Sequence, residues 1–203
     1  MRLYRLAANF KIRTDSILRV FHAPPEIPNS TQCSDAHIVA RDGALIRLQD
    51  DWGRFCRDLI LISAVGGCST VAGIALPNRA ASPRDALTIL RSSFSGRAKP
   101  PDWEPKWFIA NQALDAARRL RVGNLAAVSG ALGSTPSPLE EIRVLRNFVA
   151  HRSERAAIEA RRYSGLNHLK GLHAYLQSLQ SGGSSLLETW VRQLQVMAES
   201  AVQ

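Results

Sequence analysis

Residues 42–64 constrain the fold more than any other stretch of this chain. Leu45, Leu48, Trp52, Phe55, Leu59 and Ile62 recur at steps of three and four, the spacing that lines up one face of an α-helix. Arg47, Asp50, Asp51, Arg54 and Asp58 fill the other faces. An apolar stripe of that length, with Trp52 and Phe55 as anchors, has to be buried against further elements. Gly66-Gly67 ends the helix. Arg54 and Arg57 read as a solvated face, with an RNA groove as the alternative.

Residues 59–76 form a run of 18 without a charge, the lower limit for a membrane span. Ser63, Gly66, Gly67, Ser69, Thr70 and Gly73 break the run into two short apolar pieces. The expectation is a buried helix end, a turn and a second buried segment, a buried loop or short strand at 71–76, and no membrane span.

The rest of the chain also reads mainly as helices. Ser82-Pro83 places a capping serine before a proline suited to the first helical position, opening a helix to about Phe94. Helices are also expected at 105–121, at 125–132 with Gly133 as its stop, at 166–179, and at 186–200, where Leu187, Trp190, Val191, Leu194 and Met197 make the stripe. Residues 1–20 mix apolar and basic residues and read as a short strand or irregular arm, and 22–31 as loop. Trp103, in a proline-rich loop, either tucks back onto the domain or stacks on a base. The domain reading is an N-terminal arm and loop at 1–40, a helical bundle at 41–180, and a C-terminal helix at 181–203 packed on the bundle or on a partner.

Composition narrows the class. Hydrophobic residues are 45% of 203, enough for a core, and the formal net charge is +9. With a pI near 10.3 the surface is strongly positive, and a polyanion is its natural partner. Cys33, Cys56 and Cys68 are scattered and odd in number, so neither a zinc site nor a disulfide framework is expected, and no metal or cofactor. Residues 1–21 lack an uninterrupted apolar core, so no secretory leader is expected and the location is read as cytoplasmic.

The stretch 137–155, S-P-L-E-E-I-R-V-L-R-N-F-V-A-H-R-S-E-R, carries the candidate chemistry. Ser137 is placed to cap, Pro138 to take the first helical position, and Glu140 to close an S-x-x-E box. On a wheel of about 100° per residue, Ile142, Leu145, Val149 and Ala156 fall on one stripe. His151 lies nearly opposite, Asn147 one turn before it on the same face, and Arg146 at the border. The helix is expected to continue past His151 to about Ser164. On these facts alone, a solvated histidine and a snorkelling arginine are the plain alternative to a site.

L-R-N-F-V-A-H-R resembles the signature of HEPN domains, whose ribonuclease branch carries an arginine, four to six residues, then histidine, with a polar residue commonly after the arginine. Arg146, Asn147 and His151 match those elements, on one helix of the chain. The resemblance implies an all-α, HEPN-like helical bundle. It also implies a homodimer whose paired helices build a composite active site, and cleavage of RNA without a metal. Arg146, Asn147 and His151 are then the catalytic candidates, and Arg143, Arg152 and Arg155 the RNA-binding ones. By family analogy the chain is a toxin or phage-defence effector restrained by an antitoxin or regulatory protein. The alternative is a HEPN module that binds nucleotides or proteins without catalysis.

Overall fold

The computed structural model describes residues 2–22, 35–94, 99–100, 102–133, 138–164, 172–178, 180 and 182–203. The fold is all-α. In chain order the helices are α1 (Tyr4–Phe21), α2 (Asp35–Val65), α3 (Pro83–Ser92), α4 (Ala110–Arg119), α5 (Leu125–Leu132), α6 (Leu139–His151), α7 (Glu154–Ser164), α8 (Leu172–Leu176) and α9 (Leu186–Ala201). Isolated bridges join Ser69 to Arg2 and to Ala75. No helix among them is long and apolar enough to cross a membrane. The expected Ser137 cap, loop residues 23–31, Cys33, and residues 165–171 and 179 fall outside the described residues.

The chain forms two compact units, each drawn from separated stretches rather than from successive segments. One comprises Met1–Lys11, Trp52–Ser137 and Gln195–Gln203; the other comprises Ile12–Asp51 and Pro138–Leu194. Helices α1, α2 and α9 contribute residues to both.

In the first unit Phe10 meets Trp52 edge-on at 5.6 Å and Phe55 at 5.3 Å between ring centroids. Both anchors expected from the sequence are buried, as is Leu59. Helix α2 stops at Val65, where Gly66 and Gly67 adopt positive φ of 71° and 61°. A side chain at Gly66 would sit 2.7 Å from the Asn78 backbone, so glycine is required there. The Ala64 carbonyl, orphaned at the helix end, accepts from the N–H groups of Arg79 (2.8 Å) and Ala80 (3.1 Å). Ser82 caps α3 by accepting from Asp85 N (3.1 Å), and Asp85 Oδ2 accepts from Ala81 N (2.9 Å), a reciprocal box. Helices α4 and α5 pack on each other. Arg57 donates bidentately to Glu104 at 2.8 and 3.0 Å, and Trp107 Nε1 donates to the same carboxylate at 2.8 Å. Arg57 therefore anchors the loop before α4 instead of standing free on a solvated face.

In the second unit, α6 packs on α7. Asp51 is buried, with Arg13 Nε at 3.3 Å and Arg47 Nε at 3.6 Å. The Arg41 guanidinium lies 5.6 Å from the Phe21 ring centroid. Leu187, Trp190, Val191 and Leu194 of α9 are buried, as the 186–200 stripe requires.

Four expectations are corrected. Residues 4–21 are a helix, not a strand or irregular arm. Leu3, Ala7, Phe10, Thr14, Ile17 and Phe21 are buried at alternating steps of four and three, and the polar Thr14 within that stripe hid its period. Val71 and Ile74 are half or more exposed, because 71–75 is the tip of a turn bridged through Ser69 and Ala75. The helix expected from 105 starts at Ala110, since Glu104 and the 105–109 turn hold Trp107 first. The helix through His151 does not continue to Ser164 but breaks at Arg152-Ser153.

Candidate functional site

Helix α6 begins at Leu139, with Pro138 in the cap position and its carbonyl accepting from Ile142 N at 2.9 Å. Glu140 and Glu141 lie in the first turn, where the helix dipole favours negative charge. Ile142 and Leu145 are buried as expected, and Val149 is half-buried. Val144 is fully buried too, although it shares the face of Asn147 and His151 at i, i+3 and i+7. That face is core at its start and opens to solvent only towards His151.

Two carboxylates of α6 are already engaged. Arg143 Nε donates to Glu140 Oε2 (2.7 Å), and its Nη2 donates to Glu140 Oε1 (2.6 Å) and across to Glu159 Oε1 of α7 (2.9 Å). The Glu140 hydrogen bonds, reinforced by Glu159, hold the Arg143 guanidinium even more firmly protonated than usual. Glu141 accepts from the Tyr175 hydroxyl of α8 at 2.5 Å. Burial, then this bond, pushes the Tyr175 phenol well above its ordinary value. These contacts fix the direction of α6 against its neighbours.

The end of α6 is set by its backbone. Arg152 adopts the left-handed conformation at φ 43°, ψ 29°, and its N–H closes the last turn on Phe148 O at 2.9 Å. A non-glycine residue there costs about 1–2 kcal/mol. Ser153 then starts α7, its Oγ accepting from Ala156 N at 3.3 Å and its carbonyl accepting from Ala157 N at 3.0 Å. His151 is consequently the last residue of a helix, exposed, next to a strained turn.

The six site residues divide into three groups. Arg146 and Asn147 are half-buried and His151 is exposed; among the described residues none of the three side chains has a hydrogen-bond or ion-pair partner. The Arg146 Nε is buried and unsatisfied. On a regular helix Asn147 and His151 lie about 40° apart, but Arg146 and His151 lie about 140° apart. One copy of α6 thus brings Asn147 and His151 together and leaves Arg146 on another side. Arg143 is committed to two carboxylates. Arg152 is exposed, with Nη2 3.9 Å from Asp42 Oδ2, and Arg155 lines an open cleft of about 440 Å³ with Glu154, Ile158, Glu159 and Arg162. That cleft mixes both signs of charge and holds none of the three catalytic candidates.

Sequence reading missed Glu159, Tyr175 and Asp42 because each reaches its partner from a different helix. The cap at Ser153 was visible as a serine followed by Glu154, but it was masked by the continuing apolar pattern through Ala156. Among the described residues, His, Cys, Asp and Glu form no group of three or more placed to hold a metal. Comparison with protein-family models, with curated sequences and with solved structures gives no match to this chain in any of the three.

Proposed function

We propose that the chain is an endoribonuclease of HEPN type that cleaves RNA by attack of the 2′-hydroxyl, without a metal. The observation that carries this reading is the arginine–asparagine–histidine string on one helix of an all-α fold, with all three side chains uncommitted among the described residues. A charged or amide side chain half-buried without a partner is unusual in a folded domain unless something binds it.

RNA brings its own nucleophile. The 2′-oxygen bonds to phosphorus as the P–O5′ bond breaks, the 2′-hydroxyl proton leaves to a base, and the departing 5′-oxygen takes a proton. His151 exchanges those protons, and Arg146 donates to the non-bridging oxygens as charge builds on them. Asn147, on the same face as His151, orients the imidazole or binds a phosphate oxygen. Because Arg146 and His151 diverge around one helix axis, the reading requires a second copy, so that the arginine of one helix meets the histidine of the other across a two-fold axis. Arg152 and Arg155 supply phosphate contacts; Arg143 is a positioning residue bracing α6 on α7. By the same resemblance the protein acts in the cytoplasm as a toxin or defence effector restrained by a partner.

The test is digestion of total RNA and tRNA by purified protein in chelator. Wild type should leave 2′,3′-cyclic phosphate ends. His151→Ala and Arg146→Ala should each lower cleavage by more than about 10²-fold with the helical spectrum unchanged. Undiminished cleavage by His151→Ala removes the mechanism.

The exposed position of His151, apart from Arg146, favours one alternative, a non-catalytic HEPN module. It is distinguished by wild-type protein that retains RNA or a protein partner in a pull-down and cuts nothing.

A further inference from the structure

The first unit carries an open cleft of about 630 Å³, lined in part by Arg2, Tyr4, Arg5 and Ser69 and by the backbone at Gly67. It is built where the start of α1 meets the turn after α2. Leu3 N donates to Ser69 O at 3.1 Å, Arg5 N donates to Arg2 O at 3.2 Å, and Gly67 turns the chain at φ 61°.

Its chemistry is one-sided. No carboxylate is among the described lining residues, and the first turn of α1 contains no acidic side chain. Among the described residues the side chains of Arg2, Tyr4, Arg5 and Ser69 have no hydrogen-bond or ion-pair partner. Elsewhere in the same unit Arg57 and Arg119 each donate to a carboxylate, at 2.8 and 2.7 Å. Two guanidiniums, a phenol and a hydroxyl left free around one hollow form a donor set suited to a phosphate, which accepts from several donors at once.

Size narrows the ligand. The hollow falls within the range of about 300–1,000 Å³ typical of small-molecule sites, and a lone phosphate would fill little of it. Tyr4 is 43% exposed, leaving ring surface on which a base can stack. We propose that this cleft binds a nucleotide, free or at an RNA end, with its phosphate on Arg2 and Arg5 and its base on Tyr4. The proposal is independent of the chemistry assigned to α6.

Calorimetric titration of the full chain, carrying any tag at its C-terminus, with AMP and with adenosine tests it. AMP should bind, its affinity should fall as salt rises, and adenosine should bind at least about tenfold more weakly. The double variant Arg2→Ala/Arg5→Ala should weaken AMP by about tenfold or more, and Tyr4→Ala should weaken both ligands. Arg84→Ala, a charge-matched control on α3, should change neither, and circular dichroism should show all variants folded. Competition with 5′-phosphorylated and 5′-hydroxyl 2′-O-methyl oligonucleotides, which lack the attacking hydroxyl, separates the sources. Displacement by the phosphorylated form alone identifies an RNA end, and displacement by neither identifies a free nucleotide. Equal affinity for AMP and adenosine, no AMP binding, or wild-type affinity in the folded double variant overturns the proposal. His151→Ala should leave AMP binding unchanged, so failure at one site is distinguishable from failure at the other.

Discussion

Arg143 and Arg146 lie three residues apart on one helix and live under opposite conditions. Arg143 spends its donors on Glu140 and Glu159, whereas Arg146 buries Nε with no acceptor. An unsatisfied buried donor costs about 1–3 kcal/mol, so Arg146 weakens the fold that carries it. Replacement by a flexible apolar chain of similar length should relieve that cost. Arg146→Met is expected to leave the urea midpoint unchanged or raise stability by about 1 kcal/mol and, on the proposed mechanism, to abolish RNA cleavage. A loss of more than about 2 kcal/mol in equilibrium unfolding would make Arg146 structural. The sequence shows Glu140 one turn before Arg143 and no acid one turn before Arg146, but it hides the third bond, whose acceptor Glu159 arrives from across the helix break. Trp103 shows the same limit. The sequence left it between packing and stacking; it meets Phe94 edge-on at 4.9 Å, with Lys99 Nζ 5.4 Å from its centroid.

At the scale of elements, the break between α6 and α7 decides what the candidate site is. A continuous helix would leave His151 in mid-helix; the left-handed Arg152 makes it the exposed last residue of α6. Glycine tolerates that conformation without the side-chain clash. Arg152→Gly should therefore stabilise the protein by up to about 1 kcal/mol in thermal or urea unfolding, and Ser153→Ala, which removes the α7 cap, should destabilise it by about 1 kcal/mol. If Arg152→Gly is instead destabilising by that amount, the contact with Asp42 outweighs the backbone strain. Helix α1 makes the complementary point. Its stripe from Leu3 to Phe21 was present in the sequence at steps of four and three, but Thr14 within it and Ile12 and Val20 outside it, both exposed, blurred the pattern below recognition.

For the molecule as a whole, one polar knot, Arg57 and Trp107 on Glu104, joins the loop before α4 to α2. The bidentate bond from Arg57, more than the one from Trp107, holds the Glu104 carboxyl below the usual glutamate range, against the opposing effect of burial. A carboxylate depressed in the folded state contributes stability that is complete above the ordinary glutamate pKa and is lost as pH falls through the lowered value. Glu104→Gln should cost about 1–2 kcal/mol at neutral pH, discounted for partial exposure, and the deficit should shrink in strong acid; a deficit independent of pH would refute the ionic account. By itself the amino-acid order determined a mainly helical chain, the anchors Trp52 and Phe55, the glycine stop after α2, the serine cap of α3 and the string bearing Arg146, Asn147 and His151. Those features depend on neighbours within a turn or two, where periodicity and capping act. Only the tertiary structure decided which arginines are free, where α6 ends, and that residues far apart in the chain combine into each compact unit. Ion pairs and buried surfaces join side chains that the sequence separates by tens of residues, and their energies depend on distances that no local pattern encodes.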